Sequence, residues 1–158
     1  MEIELVKTTS SVGESCLHLQ LTPAYRRDIF VNEQTRELTK IYFLEKAKNL
    51  GVLVSAMEVG PEHFHVFLVN WKKYSVEKLA NEFKGFTSYM MRKYHRHLFC
   101  DKLWGKKFWS AGYFYRTVGV VTREAVQFYI QHSQKKHWKA VDYHYYKDKQ
   151  QSLLSQFN

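Results

Sequence analysis

The chain has 158 residues and a formal net charge of +9 at pH 7, and 45% of its residues are hydrophobic and 16% aromatic. This length and composition predict one domain with a substantial core, and they exclude a disordered or repeat protein. The positive charge favours a polyanionic partner, nucleic acid before an anionic membrane, while a basic domain without such a partner is the alternative.

The cysteines and the apolar runs bear on the cellular compartment. Cys16 and Cys100 are the only cysteines and have no CxxC spacing, so neither a disulfide framework nor a zinc–thiolate site is predicted. No apolar run approaches the roughly 18 residues of a membrane-spanning helix, and residues 1–10 contain no signal-peptide core. We therefore expect a cytoplasmic protein without membrane contacts.

Hydrophobic periodicity and capping residues divide the chain into a short series of elements. In chain order we predict a loose N-terminal arm over residues 1–15, a strand over 16–21, a helix over 33–49 capped by Asn32, a strand over 52–59, a strand that begins at His63, a helix from Val76 to about Tyr94 capped by Ser75, a strand over 108–118, a helix over 123–136 capped by Thr122, and a basic, tyrosine-rich tail over 139–158.

The order β-α-β-β-α-β with one extra helix is the split β-α-β, ferredoxin-like plan of the α+β class. Its antiparallel sheet carries helices on one face, and right-handed crossovers place the first strand beside the His63 strand at the sheet centre. We expect the other sheet face to be free for nucleic acid. The extra C-terminal helix carries Tyr129.

Two histidines stand one residue apart at the start of an apolar strand. In an extended chain His63 and His65 project to the same side, so their imidazoles can share one divalent cation and leave a coordination position open. Such a motif arises by chance roughly 0.4 times in a chain of this composition, so histidines that merely lie at a sheet edge are the alternative. A second motif, His95 and His97, falls at a helix end, where residues two apart lie about 200° apart and cannot share a ligand.

If a hard ion such as Mg²⁺ or Mn²⁺ binds a phosphodiester at this site, cleavage of the ester still requires a nucleophile. Tyr129 is the candidate, on a helix that also carries His132, Gln134 and His137. A phenol with a pKa near 10 needs activation of about 4 kcal/mol at pH 7, which a metal or nearby cations can supply in part. From spacing alone, a half-buried helix residue is the alternative.

Four segments together resemble one known family, the single-tyrosine HUH transposases of the insertion sequence 200/605 group. The segments are LHLQLTPAYRRDIF, AMEVGPEHFHVFLV, YSVEKLANEFKGFTSYMMRK and LWGKKFWSAGYFYRTVGVVTREAVQFYI. They are similar to the family's first strand and basic turn, its HUH strand, the helix with its lysine-glycine signature, and its final strand and tyrosine helix. Residues 16–138 would then form the HUH transposase catalytic domain.

The resemblance implies a dimeric DNA strand transferase that acts on single-stranded DNA with subterminal hairpins. His63 and His65 would hold Mg²⁺ or Mn²⁺, and Tyr129 would form a 5′-phosphotyrosine link. In members of this family the partner subunit can supply the tyrosine helix. For contact with the DNA backbone, charge and position within the matching segments indicate four residues: Arg26, Arg27, Lys84 and Arg92.

One position departs from the family pattern. The family commonly has a glutamine four residues after the tyrosine as a further metal ligand, and this chain has Ser133 there. His132 or Gln134 could substitute, and we choose Gln134 as the third ligand. Two other functions remain open: a non-catalytic module that binds single-stranded nucleic acid, and a domesticated tyrosine transposase that processes dispersed hairpin repeats.

Overall fold

The computed structural model describes residues 6–7, 12–13 and 16–118. Tyr129, Ser133, Gln134, the predicted last helix and the tail over 139–158 lie outside these residues. The main elements are β3 (Cys16–Leu21), α1 (Glu33–Leu50), β4 (Leu53–Val59), β5 (Phe64–Val69), α2 (Val76–His95) and β6 (Phe114–Val118), and within the predicted arm the short strands β1 (Val6–Lys7) and β2 (Val12–Gly13) pair with each other.

The four longer strands form one antiparallel sheet in the order β4-β5-β3-β6. β3 and β5 therefore occupy the centre, as the sequence predicts for the strand before α1 and the strand of the HUH motif. Their register pairs Gln20 with His65 and Leu19 with Val66. No helix within the described part of the chain is long and apolar enough to cross a bilayer.

Capping side chains set the starts of both long helices. The Asn32 side chain accepts a hydrogen bond from the backbone N–H of Thr35 at 2.9 Å, and the Ser75 hydroxyl accepts one from the N–H of Lys78 at 3.0 Å. α1 ends at Leu50 and is capped by Gly51, whose φ of 70° is the left-handed conformation that favours glycine. The predicted caps Asn32 and Ser75 are confirmed, and the bounds of these two helices differ from the prediction by about a residue; the predicted cap Thr122 lies outside the described residues.

Alternation along the central strands separates two sheet faces. Leu17, Leu19 and Leu21 of β3 point into the core beneath the helices with three buried residues of β5: Phe64, Val66 and Leu68. His18, Gln20 and His65 lie on the opposite face. That face was expected to be open to nucleic acid, but His18 and His65 are only 1% and 2% exposed, so its centre is closed to solvent.

The segment before β6 departs from the prediction of a strand over 108–118. β6 begins only at Phe114, and among the described residues the strand-like pairing of residues 108–113 is limited to the isolated bridge between Pro23 and Trp109. Phe108 and Trp109 are buried in the core, and the indole Nε1 of Trp109 donates to the hydroxyl of Thr87 on α2 at 2.8 Å. Because the side chains of Phe108 and Trp109 both point into the core, this segment does not continue the regular strand pairing of β6.

Candidate active site

The Gly60–His63 turn brings His63 to the start of β5, where the backbone N–H of Gly60 donates to the carbonyl of His63 at 2.9 Å. One guanidinium nitrogen of Arg26 lies 3.1 Å from His63 Nε2, and a carboxylate oxygen of Glu62 lies 3.3 Å from His63 Nδ1. A guanidinium can only donate, so Nε2 is the acceptor and the neutral ring carries its proton on Nδ1. Burial lowers the pKa of His63, which favours this neutral form.

His65 is held by a buried contact with His18. Nδ1 of His65 lies 2.6 Å from Nε2 of His18, and His18 stacks between the rings of His65 and Phe67 at centroid distances of 4.8 and 4.6 Å. Burial lowers the pKa of His65 to about 2 and that of His18 to about 4, so both rings are neutral at pH 7 and one donates to the other. Arg116, paired with His18 in the β3–β6 register, lowers the His18 pKa further.

The imidazole rings of His63 and His65 lie side by side, with their centroids 6.3 Å apart and their planes at 51°. Each has Nδ1 against a protein group, Glu62 for His63 and His18 for His65. Metal-binding histidines commonly engage their second nitrogen in this way, because that contact fixes the ring and its tautomer. The pair therefore fits the role of a cation platform, with His63 and His65 as ligands.

The platform is incomplete within the described residues. Among residues 6–7, 12–13 and 16–118, no group of three His, Cys, Asp or Glu side chains is arranged to hold a metal ion. Two imidazoles leave most of the coordination sphere of a divalent ion to other groups. The predicted third ligand, Gln134, and the predicted nucleophile, Tyr129, lie outside the described part of the chain.

Glu58 is a site residue that the sequence reasoning missed. It pairs with His65 in the β4–β5 register and is only 1% exposed, and its Oε2 has no hydrogen-bond partner among the described residues. Burial raises the pKa of this carboxyl to about 7. His18 was missed in the same way. In both cases the signal in the sequence was a polar residue inside an otherwise apolar strand. The side chains of Glu58 and His18 lie on the same sheet face as His65.

The four predicted DNA contacts separate into two pairs. Arg26 and Arg27 are exposed in the turn after β3, and the Arg27 guanidinium lies 5.4 Å from the ring centroid of Trp104. Lys84 and Arg92 are half-buried on α2 and donate to backbone carbonyls of the segment before β6, at Ala111 (2.9 Å) and Gly105 (2.6 Å). Both pairs stay predictions as DNA contacts, but the second pair also anchors a loop.

Comparison with known proteins identifies a matching family and a similar transposase. The family model described as "Transposase IS200 like" matches residues 11–133. The ISDra2 transposase TnpA of Deinococcus radiodurans is 30% identical over 131 residues, which cover 83% of this chain and 92% of that protein.

Two solved structures are also similar. A crystal structure described as a candidate transposase from Deinococcus radiodurans R1 has a TM-score of 0.64 at 25% identity, over 83% of this chain and 99% of that one. A REP-associated tyrosine transposase bound to a REP hairpin has a TM-score of 0.49 at 11% identity, over 79% and 67%, which is too distant to carry an argument. The resemblance read from the sequence is confirmed at the level of the family: this chain belongs to the IS200-like transposases.

Proposed function

We propose that this transposase cleaves and rejoins single-stranded DNA at insertion-sequence ends, with Tyr129 as the nucleophile and a divalent cation bound by His63 and His65. The observation that supports it is the pair of neutral imidazoles set side by side, each with Nδ1 against a protein partner. A histidine that binds a metal ion must be neutral and must have a lone pair on the ring nitrogen that faces the ion. The contacts at Nδ1 favour that form.

The cation would be a hard ion, Mg²⁺ or Mn²⁺, with Gln134 as a further protein ligand. When bound, such an ion polarises a non-bridging phosphate oxygen and stabilises the negative charge that develops on phosphorus. Glu62 and His18 would keep the two histidine rings in place during the reaction, since each contacts the ring nitrogen that faces away from the cation.

In the cleavage step the phenolic oxygen of Tyr129 attacks phosphorus and forms a 5′-phosphotyrosine ester. The bond from phosphorus to the 3′-oxygen breaks, and the 3′-oxygen leaves as a hydroxyl after it gains the proton that the phenol loses. In the rejoining step a 3′-hydroxyl attacks the phosphotyrosine and restores the phenol. Each step exchanges one phosphate ester for another, so the cycle needs no ATP.

DNA binding would use the net charge of +9 and the four basic residues Arg26, Arg27, Lys84 and Arg92. The partner would be single-stranded DNA with subterminal hairpins, and the active unit a homodimer in which the tyrosine helix is shared between subunits. Light scattering of the purified protein, with and without DNA, measures that stoichiometry directly.

The decisive experiment is cleavage of labelled single-stranded DNA by purified protein with Mg²⁺ or Mn²⁺, with a chelator in parallel. We expect a nicked product and a covalent protein–DNA adduct, both lost in Tyr129→Phe and in the chelator. Tyr89→Phe is the matched control, since Tyr89 is an exposed tyrosine on α2 that contacts Lys93. An adduct that persists in Tyr129→Phe would contradict the assignment of the nucleophile.

A further inference from the structure

The turn after β3 has a strained backbone conformation, and Arg26, which contacts His63, lies within it. Tyr25 and Arg26 have φ of 58° and 50°, so two consecutive residues other than glycine adopt the left-handed conformation. Such strain persists only where the surroundings enforce it, and it is common at functional sites.

Contacts from a distant segment enforce this turn. The backbone N–H of Ala24 donates to the carbonyl of Phe108 at 2.9 Å, and the hydroxyl of Ser110 donates to the carbonyl of Pro23 at 3.0 Å. On the far side, the N–H of Phe30 donates to the carbonyl of Pro61 at 3.1 Å, which ties the turn to the loop that precedes His63. Arg26 is thereby set beside His63 by backbone contacts on both sides.

The Arg26 contact uses the nitrogen that metal ligation requires. Its guanidinium donates to His63 Nε2 at 3.1 Å, while Nδ1 faces Glu62. A lone pair on Nε2 can accept a guanidinium proton or bind a cation, but it cannot do both. Both occupants carry positive charge, so they also repel each other at this distance.

We propose that Arg26 is a place-holder for the cation: its guanidinium occupies His63 Nε2 in the metal-free protein and leaves when the cation binds, and it then contacts a phosphate of the DNA strand. This inference rests on the proposed function. The exchange fixes the His63 tautomer before the metal arrives and couples metal loading to DNA contact. Arg26 is exposed, so its side chain can turn outward without unfolding the turn.

The first test measures Mn²⁺ affinity without DNA, by titration calorimetry or by the free-Mn²⁺ signal in electron paramagnetic resonance, in full-length Tyr129→Phe protein. Arg26→Ala removes the competitor for Nε2, so we expect Mn²⁺ to bind about three- to tenfold more tightly. Arg27→Ala is the matched control, because it removes the neighbouring charge, which lies over Trp104, and should change the affinity by less than about twofold.

Equal effects of Arg26→Ala and Arg27→Ala, or weaker Mn²⁺ binding in Arg26→Ala, would overturn the place-holder role and leave the proposed function intact. His63→Ala separates the two ideas, since it should abolish tight Mn²⁺ binding. If the parent protein binds no Mn²⁺, or binds it equally well without His63, the metal platform and the place-holder role both fail.

The second test measures how the affinity for single-stranded DNA depends on salt. With saturating Mn²⁺ the released Arg26 contacts a phosphate, so Arg26→Ala should reduce the slope of log affinity against log salt by about 0.7. In chelator Arg26 is held by His63, and the slope should be unchanged. A slope that falls by the same amount under both conditions would show that Arg26 meets DNA regardless of metal, against the exchange.

Discussion

The chain carries two His-x-His motifs of identical spacing, and the fold gives them unlike surroundings. His63 and His65 lie at the start of a central strand, with their rings neighbouring and their Nδ1 atoms against Glu62 and His18. His95 is the last residue of α2 and its Nε2 lies 2.6 Å from the hydroxyl of Tyr42, while His97 is exposed in the 3-10 turn that follows. Backbone geometry, and not spacing, decides whether two such histidines can share a ligand.

The largest expected difference between the motifs is in catalysis. His63→Ala or His65→Ala should reduce cleavage of single-stranded DNA on the order of 1,000-fold, because a metal ion contributes several kcal/mol of transition-state stabilisation. DNA affinity in the same variants should change by no more than a few-fold. The measurement is single-turnover cleavage in Mg²⁺, with binding followed separately by fluorescence anisotropy.

The variants His95→Ala and His97→Ala are the counterpart. Their cleavage rate at saturating DNA should stay within a few-fold of the parent protein, and any effect should fall on affinity and its salt dependence. If they lose cleavage as His63→Ala does, the distinction between the motifs is wrong.

A second difference is the buried partner of His65. In His18→Phe the ring can still stack against Phe67, but the hydrogen-bond partner of His65 Nδ1 is lost, so Mn²⁺ should bind about 10- to 100-fold more weakly. His18→Gln keeps a side-chain acceptor and should recover part of that loss. Calorimetric Mn²⁺ titration measures both, and equal affinities in the two variants would rule out a role for the hydrogen bond.

The third difference is a buried carboxyl, Glu58, opposite His65. Burial raises its pKa from 4.5 to about 7, so between these values the native state binds more protons than the unfolded state and the free energy of unfolding falls as pH rises. Glu58→Gln has no such titration, so from pH 5 to pH 8 its stability should rise relative to the parent protein by about 2 kcal/mol. Urea unfolding at the two pH values, without metal, measures this change.

Glu82→Gln is the control for that pH effect. Hydrogen bonds from Lys46 and Lys78 lower the pKa of Glu82 to about 2, so its stabilising contribution is lost only as pH falls below the unfolded value. Between pH 5 and pH 8 the stability difference between Glu82→Gln and the parent protein should therefore stay constant. A Glu58→Gln difference that is equally constant would mean that Glu58 is charged in the native state at pH 5.

The smallest expected effect concerns the second motif alone. Tyr42→Phe removes the hydroxyl that lies 2.6 Å from His95 Nε2 and should lower the free energy of unfolding by about 1 kcal/mol. Cleavage and Mn²⁺ affinity should be unchanged, because this hydrogen bond joins α1 to the end of α2. A loss of metal binding in Tyr42→Phe would connect the second motif to the site.

The sequence predicted the strands and helices well where local chemistry determines them. Asn32, Ser75 and Gly51 set helix ends through their own side chains or backbone, and alternation along residues 16–21 identified β3. The predicted start of β6 at residue 108 was wrong. Residues 108–113 have β-forming character, but burial of Phe108 and Trp109 against the helices stabilises the fold more than strand pairing would.

The site was predictable in its two histidines and not in their partners. The contact of His18 with His65 joins residues 47 apart in the chain, and that of Arg26 with His63 joins residues 37 apart. Neither follows from spacing: the first depends on how β3 and β5 align, and the second on a left-handed turn that Tyr25 and Arg26 would not adopt by preference. Glu58 was overlooked because its strand otherwise indicates only core.

The pairing of Gln20 with His65 and of Leu19 with Val66 has a consequence for how errors in this protein would appear. A slip of β3 against β5 by one residue would turn each side chain to the other face, so leucines would enter the site and histidines the core. The packing of the core and the geometry of the site therefore both depend on the same alignment of β3 with β5. Substitutions at Leu19 or Val66, on the face away from any metal, should reveal misaligned molecules first as a fraction of protein that cannot bind Mn²⁺.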